Sequence, residues 1–278
     1  LPQLLRLAGL RCFSTQKLSW STHTQFPHRS FRWVGIDGSA VLAHLLPEDT
    51  YNSAAMPAGV DRAAQAMAER SESRHALLSY GVGDGGGGSG AEHLERLRRL
   101  RQLDGLPPVR ISSTDEFFAR WQRQAADFPR YAGELYLERH QGCQTTCLPV
   151  KAANRRAQRA LLATEWWCSL AEIISGAEPP RAALRRLWEQ ALLYQFHDIL
   201  PGSSIKRVYD ECLSGYDQLL AELDQLRRQA ERAVAGCLPG GGGAQLVANP
   251  GAHAQQDWCR VAGGWQRLSL PAQSLALI

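Results

Sequence analysis

Three clusters in this sequence carry residue types that do chemistry. The first is YQFHDILPGSS, residues 194–204, where an apolar helical pattern ends on His197 and Asp198 just before a Pro-Gly break. An imidazole beside a carboxylate suits metal ligation, but a catalytic zinc takes about three protein ligands, so this pair is not a site by itself. Helix capping or packing competes as a role for His197. The second is GVGDGGGGSG, residues 81–90, in which one carboxylate, Asp84, leaves the end of a predicted strand for a run of glycines. No Lys-Ser/Thr pair follows, and no convincing G-x-G-x-x-G fingerprint with an acidic ribose partner, so a phosphate cradle is not supported. Bare backbone would let a bulky polar ligand approach Asp84, with a plain flexible linker as the competing account. The third is GELYLERHQGCQTT, residues 133–146. Glu134, Tyr136 and Glu138 alternate with Leu135 and Leu137, as on one polar side of a strand, and His140 follows; a solvated face is the ordinary meaning of such alternation. Cys143 and Cys147, in what reads as strand or extended loop, are expected to be free thiols rather than metal ligands.

The elements that must position these clusters change character along the chain. Up to about residue 90 a short helix over Pro2 to Ala8 is followed by the strand-like pieces RCFSTQKLSW, FRWVGID and SAVLAHLL, the helix DRAAQAMAER and the strand HALLSYGVG. Helices alternating with short apolar strands indicate an α/β layer. Asp37-Gly38 reads as a hairpin turn, since this pair tolerates the positive φ that tight hairpins need. Ser113-x-x-Glu116 reads as a capping box. Three longer helices follow: about 151–174 with Leu162, Trp166, Leu170 and Ile173 on one face, about 181–199 with Leu184, Trp188, Ala191 and Leu192 inward, and a third. In that third, Ile205, Val208, Cys212, Tyr216, Leu219, Leu223 and Leu226 recur every three or four residues. Stripes of this kind must bury against one another, which makes a three-helix bundle. Leu238-Pro239 and the glycines 240–243 read as a linker, and QLVANP, WCRVAGG, WQRLSL and SLALI as short strands beginning a β-rich region. The expected order is thus an α/β partial domain (1–90), a helical domain including the strand or loop of the third cluster (91–237), and a linker with a truncated β region (238–278).

Composition narrows the function classes. The chain has 278 residues, 44% apolar and 21% charged, enough for a core of its own. Its net charge of +4 lies on helical faces such as HLERLRRLRQ, interleaved with Glu92 and Glu95, which marks solvated surface and gives no support for nucleic-acid binding. Seven scattered cysteines without C-x-x-C spacing fit a reducing compartment, and no apolar run of membrane-spanning length occurs, so a soluble, cytoplasmic protein is expected. The opening LPQLLRLAGL starts inside an amphipathic pattern and reads as the interior of a longer protein.

Taken together, the clusters and their flanks resemble the α-mannosidases of glycoside hydrolase family 38, most closely the cytosolic and bacterial type. The stretches that carry the resemblance are LPQLLRLAGLRCFSTQKLSW, FPHRSFRWVGIDGSAVLAHLLPEDTYNS, GVGDGGGG, GELYLERHQG with a following TT, KAANRRAQRALLATEWWCSLA and LLYQFHDILPGSSI, in family order. The resemblance implies retaining hydrolysis of α-mannosidic bonds, with an Asp nucleophile and an acid/base carboxyl about 5 Å apart. It also implies a zinc ion, or another divalent cation, gripping sugar hydroxyls.

Carried onto this sequence, the resemblance makes His197 a zinc ligand and Asp198 a contact to sugar hydroxyls. Lys17, Tyr51 and Asn52 become cleft residues, Asp84 the acid/base, and Glu138 and His140 members of a motif facing the same cleft. The substrate expected is a mannose-containing oligosaccharide or a small mannoside; assembly as a homo-oligomer is left open. The family's other zinc ligands and its nucleophile fall upstream of Leu1 by the same resemblance, so this polypeptide is expected to be inactive alone. Gln144 departs from the family, which has an aromatic residue there. The alternative is a degenerate, non-catalytic carbohydrate-binding or interaction module that keeps the bundle.

Overall fold

The computed structural model describes residues 1–84, 87–238, 245–261 and 263–278. The glycine linker read at 240–243, and two of the glycines after Asp84, lie outside the described residues. The chain divides into two compact units, Leu1–Gln141 and Gly142–Ile278.

In the first unit helix α1 (Pro2–Leu7) begins with a proline, whose missing N–H is no loss where helix donors are free anyway. Strands β1 (Cys12–Thr15), β2 (Ser30–Val34) and β3 (Ala40–Leu45) join β4 (Arg130–Ala132) in one sheet of order β1-β3-β2-β4. β2 and β3 form the antiparallel hairpin expected from Asp37-Gly38, while β1 and β4 run parallel to their neighbours. Gly38 takes φ +84°, and the Asp37 carboxylate accepts from the Ser39 amide and hydroxyl, closing the turn. Phe31, Trp33, Val41, Ala43 and Leu45 bury one set of side chains of this sheet with Leu18. Helices α2 (Pro57–Arg70), α3 (Ala91–Leu100) and α4 (Thr114–Trp121) complete the unit. Arg96, Arg98 and Arg99 of α3 pair with Glu92 and Glu95 on its exposed surface, as the charge pattern suggested.

His44, alternating away from the first set of β3 side chains, is fully buried against Phe117 and Trp121 of α4. Its Nε2 accepts from the Leu77 amide at 3.2 Å, so Nδ1 carries the proton toward Ser30 Oγ, also 3.2 Å away. Burial and the nearby Arg29 push its pKa down from 6.5 to about 3, because a second ring proton would have neither water nor an acceptor.

Two predicted strands are absent, for local reasons. In HALLSYGVG the Leu77 amide is spent on His44, and Tyr80 makes only an isolated bridge with Ser53; the segment is an extended loop. In the third cluster the chain leaves the sheet after Ala132. The Trp33 indole donates to the Gly133 carbonyl and the Tyr131 hydroxyl to that of Glu134, which replaces a ladder. Glu138 to Gln144 then forms a 3-10 turn, so Glu134, Tyr136 and Glu138 do not share one side of a strand. RCFSTQKLSW splits into β1 and a 3-10 turn, Lys17–Trp20. Half of the capping box is made: Ser113 Oγ accepts from the Glu116 amide, while the Glu116 carboxylate goes to Ser112, Arg110 and Arg120.

The second unit is the expected bundle, α5 (Leu148–Ser175), α6 (Arg181–Leu193) and α7 (Lys206–Cys237). Its core runs through Ala157, Leu161, Leu187, Ala191, Cys212, Tyr216, Leu219 and Leu223. The stripe read for α5 is rotated: Leu162 and Ile173 are exposed, and Val150, Ala153, Ala157, Leu161, Cys168 and Ala171 face inward. Small side chains allow closer helix approach, so the alanine side packs and the larger leucine side does not. Leu192 is likewise exposed and Leu187 buried in its place, and Ile205 stays outside the core. Strands β5 (Leu246–Asn249) and β8 (Ser274–Leu277) pair antiparallel, as do β6 (Gln255–Val261) and β7 (Gly264–Leu270). Leu246, Ala248 and Leu275 pack on the bundle core. All seven cysteines are free thiols, Cys143 and Cys147 among them.

Candidate functional site

In the first unit the sequence-selected residues Lys17, Tyr51, Asp84 and His140 form a continuous group around Trp20, a residue the sequence reading left unassigned. The 3-10 turn has three residues per turn, so Lys17 and Trp20 lie on one face of it. Lys17 Nζ sits 3.6 Å from the centre of the Trp20 ring and 4.9 Å from that of Tyr51, a cation held between two aromatic faces. The Tyr51 hydroxyl donates to Asp84 Oδ2 at 2.7 Å, and this carboxylate neighbour raises the phenol's pKa. The His140 ring meets Trp20 edge-on at 5.8 Å, and the Arg139 guanidinium lies 5.8 Å from the same ring.

The glycine loop earns its composition here. A side chain at Gly83 would come within 2.5 Å of Asn52 Oδ1 and 2.7 Å of Tyr51 Cε2, so only bare backbone lets the loop lie against those two residues. Asp84 itself takes φ +58°, a conformation open to few side chains and one that Asp tolerates better than most. Gly81 is tied to Ser53 by a backbone bond, which fixes the loop's root.

Glu138 behaves differently from its neighbours. Its carboxylate accepts from the amides of Thr22, His23 and Thr24, pinning the turn that follows Trp20. Those donors, the His23 amide foremost, hold its pKa down to about 2. The Thr22 hydroxyl adds a longer bond to the same carboxylate at 3.4 Å.

In the second unit His197 and Asp198 lie in a tight turn between α6 and α7, because α6 ends at Leu193 rather than at Ile199. The turn's backbone is heavily anchored. Lys151 Nζ donates to the carbonyls of Thr146, Leu200 and Pro201. The Asp198 carbonyl accepts from Ser204 Oγ at 2.7 Å, and Asp198 Oδ1 from Ser203 Oγ at 3.1 Å. Gln195 and the buried Tyr216 both reach Asn154 Oδ1. Gly202, at φ +96°, lies so close to Thr146 that a side chain would meet it at 2.6 Å. On this fixed frame the His197 and Asp198 side chains stay 79% and 55% exposed, with Nε2 and Oδ2 3.8 Å apart. Neither caps a helix end nor packs in the core.

His197 and Asp198 do not by themselves make a metal centre. Among the described residues no three His, Cys, Asp or Glu side chains converge as a ligand set. His197 is suited to being one accessible ligand of several.

The family model "Glycosyl hydrolases family 38 N-terminal domain" matches residues 1–134, and "Alpha mannosidase middle domain" matches residues 138–234. Alpha-mannosidase G of Dictyostelium discoideum is 39% identical over 239 residues, covering 86% of this chain and 22% of that protein. Alpha-mannosidase 2C1 of Homo sapiens is 37% identical over 251 residues, covering 89% of this chain and 24% of the relative. The chain thus spans about a fifth to a quarter of the length of these relatives. In fold it is similar to the crystal structure of an alpha-mannosidase from Enterococcus faecalis V583, with a TM-score of 0.73 and 17% identity over 93% of this chain and 31% of that one.

Proposed function

The chain belongs to the α-mannosidases of glycosyl hydrolase family 38, and from that membership we propose that the longer protein it represents hydrolyses α-linked mannose from oligosaccharides or small mannosides. The observation that carries the reading at the level of chemistry is the Tyr51–Asp84 hydrogen bond beside the Lys17–Trp20 pair. Asp84 is the acid/base: its carboxyl protonates the departing glycosidic oxygen, then takes a proton from the water that completes a retaining double displacement. Tyr51 aims that carboxyl, and the Trp20 face offers an apolar surface to the C–H side of a sugar ring. Asn52 and His140 provide polar contacts to hydroxyls. Glu138, with its oxygens committed to backbone amides, is assigned to positioning the turn after Trp20 instead of touching sugar.

In the bundle unit Asp198 contacts sugar hydroxyls and His197 is one ligand of a zinc or similar divalent ion whose remaining ligands belong to other parts of the longer protein. The nucleophile's role is given to no residue of 1–278. Free thiols throughout fit a reducing, cytoplasmic setting. Among the described residues no helix is long and apolar enough to cross a membrane.

Asp84→Asn in the full-length protein tests the assignment. It should lower kcat on an aryl α-mannoside by about 10²–10⁴-fold, as loss of a general acid/base does. Wild-type turnover in that variant removes Asp84 from the mechanism. A full-length protein that turns over no mannoside yet is stabilised by mannose would instead identify a non-catalytic sugar-binding module.

A further inference from the structure

A second site lies in the first unit, on the far side of the Lys17–Trp20 turn. A cavity of about 360 Å³ is bounded by that turn, by the chain around Arg29 and Asp49, and by α2. Because the turn repeats every three residues, Gln16 and Ser19, and Leu18 and Ser21, occupy its other two faces and line the cavity, while Lys17 and Trp20 do not.

The walls carry an unusual number of unmet polar atoms. Among the described residues four side-chain atoms are shielded from solvent without a hydrogen-bond partner: Gln16 Nε2, Ser21 Oγ, Arg29 Nε and Glu48 Oε2. All four belong to residues lining this one cavity. Gln16 and Arg29 are only 4% and 8% exposed, and the Glu48 side chain 6%. Buried polar groups are normally paired, since an unmatched one has given up its bonds to water for nothing, so such a concentration calls for a guest. All four are closed off as they stand; for a guest to reach them the Gln16, Ser21 and Glu48 side chains must turn about their terminal bonds, while Arg29 Nε stays fixed by the Asp49 pair.

The chemistry of the guest follows from what is left unpaired. Gln16 Nε2 and Arg29 Nε are donors, Glu48 Oε2 is an acceptor, and Ser21 Oγ serves as either. A ligand that both donates and accepts at several points is required. Its net charge is set by the walls: Arg29, Arg62 and Arg70 are balanced by Glu48, Asp49 and Glu69. Arg29 is already engaged through both terminal nitrogens with Asp49, at 2.6 and 3.1 Å, so its own guanidinium fork is not open to an anion. Phe26, Leu18 and Leu45 add an apolar wall. A volume at the lower end of ligand pockets, about 300–1,000 Å³, limits the guest to roughly one ring.

We propose that this cavity binds a neutral polyhydroxylated small molecule of monosaccharide or cyclitol size, separately from the Lys17–Trp20–Tyr51–Asp84 group. The proposal does not depend on the assignment of mannoside hydrolysis. It is tested on the full-length protein by calorimetric titration with glucose, with inorganic phosphate as the anionic comparison. Ala66→Phe fills the cavity from α2, where Ala66 is half-buried. Glu48→Gln keeps the shape but turns the unmet acceptor side into a mixed amide, and serves if the larger change impairs folding.

Saturable glucose binding should weaken by about tenfold or more in each variant, while turnover of an aryl mannoside in Ala66→Phe is unchanged. Phosphate should neither bind nor compete. Equal glucose binding in wild type and both variants overturns the proposal, as does preferential binding of phosphate. A structure of the full-length protein with one of its own side chains filling the cavity and pairing these atoms overturns it equally.

Discussion

At the scale of single residues the most informative contrast is between Asp84 and Glu138, two carboxylates selected together from the sequence. Among the described residues Asp84, itself exposed, has one side-chain partner, Tyr51; Glu138 spends its oxygens chiefly on three backbone amides. A group whose oxygens are committed to amides cannot also shuttle protons cheaply, because protonation would forfeit those charge-assisted bonds. His197 is the complementary case, an imidazole left in solvent on a frame that leaves it no structural duty. His197→Ala in the full-length protein should therefore lower bound zinc, read by elemental analysis, together with activity, and should leave the melting temperature nearly unchanged. Unaltered metal content would take His197 out of the ligand set.

At the scale of elements, two short irregular segments present these residues, and each depends on a close approach. The loop at 81–84 lies on Tyr51 and Asn52 through Gly83; Gly83→Ala forces overlap at 2.5–2.7 Å and should displace Asp84. The expected result is a fall in kcat larger than the loss of stability, because the loop is at the surface and the core is untouched. A variant with full activity would mean that the loop does not position the acid/base. The turn at 194–204 hangs on Lys151, whose ammonium satisfies three carbonyls. Lys151→Met leaves those acceptors unmatched, at about 1–3 kcal/mol. It should raise amide hydrogen exchange selectively in residues 195–203, and uniform exchange across the bundle would argue against the anchor.

At the scale of the whole molecule, His44 ties the β3 strand to α4 and to the loop that leads to Asp84. Its pKa is about 3 in the fold against 6.5 when exposed, so between these values the unfolded chain binds the extra proton and the folded chain does not. Stability is therefore at its full value above pH 6.5 and declines as pH falls toward 3. Thermal melts across that window should show the decline, and His44→Gln, which cannot titrate, should flatten it. An equal slope in both proteins would assign the acid sensitivity elsewhere.

How much of this was legible in advance differs between pattern and placement. The hairpin at Asp37-Gly38, the three bundle helices and the four C-terminal strands could be read because turn chemistry and hydrophobic period act over neighbouring residues. Among the candidate site residues, Asp84, His140, His197 and Asp198 stood out by residue type and spacing, and Lys17 and Tyr51 only by resemblance to a family, while nothing local marked Trp20, which meets Lys17, Arg139 and His140 only after a 3-10 turn sets it beside Lys17. The strand expected at 75–83 failed because a distant histidine took its amide. The stripe on α5 failed because two faces were comparably apolar and close packing chose the one with alanines. The sequence by itself determined the class, the order of elements and the residue types available for chemistry, since those are encoded in spacing along the chain. Only the tertiary structure decided which carboxylate is free and which is spent on backbone, and which polar atoms around Arg29 are left wanting a partner, because both depend on segments far apart in sequence competing for the same hydrogen bonds.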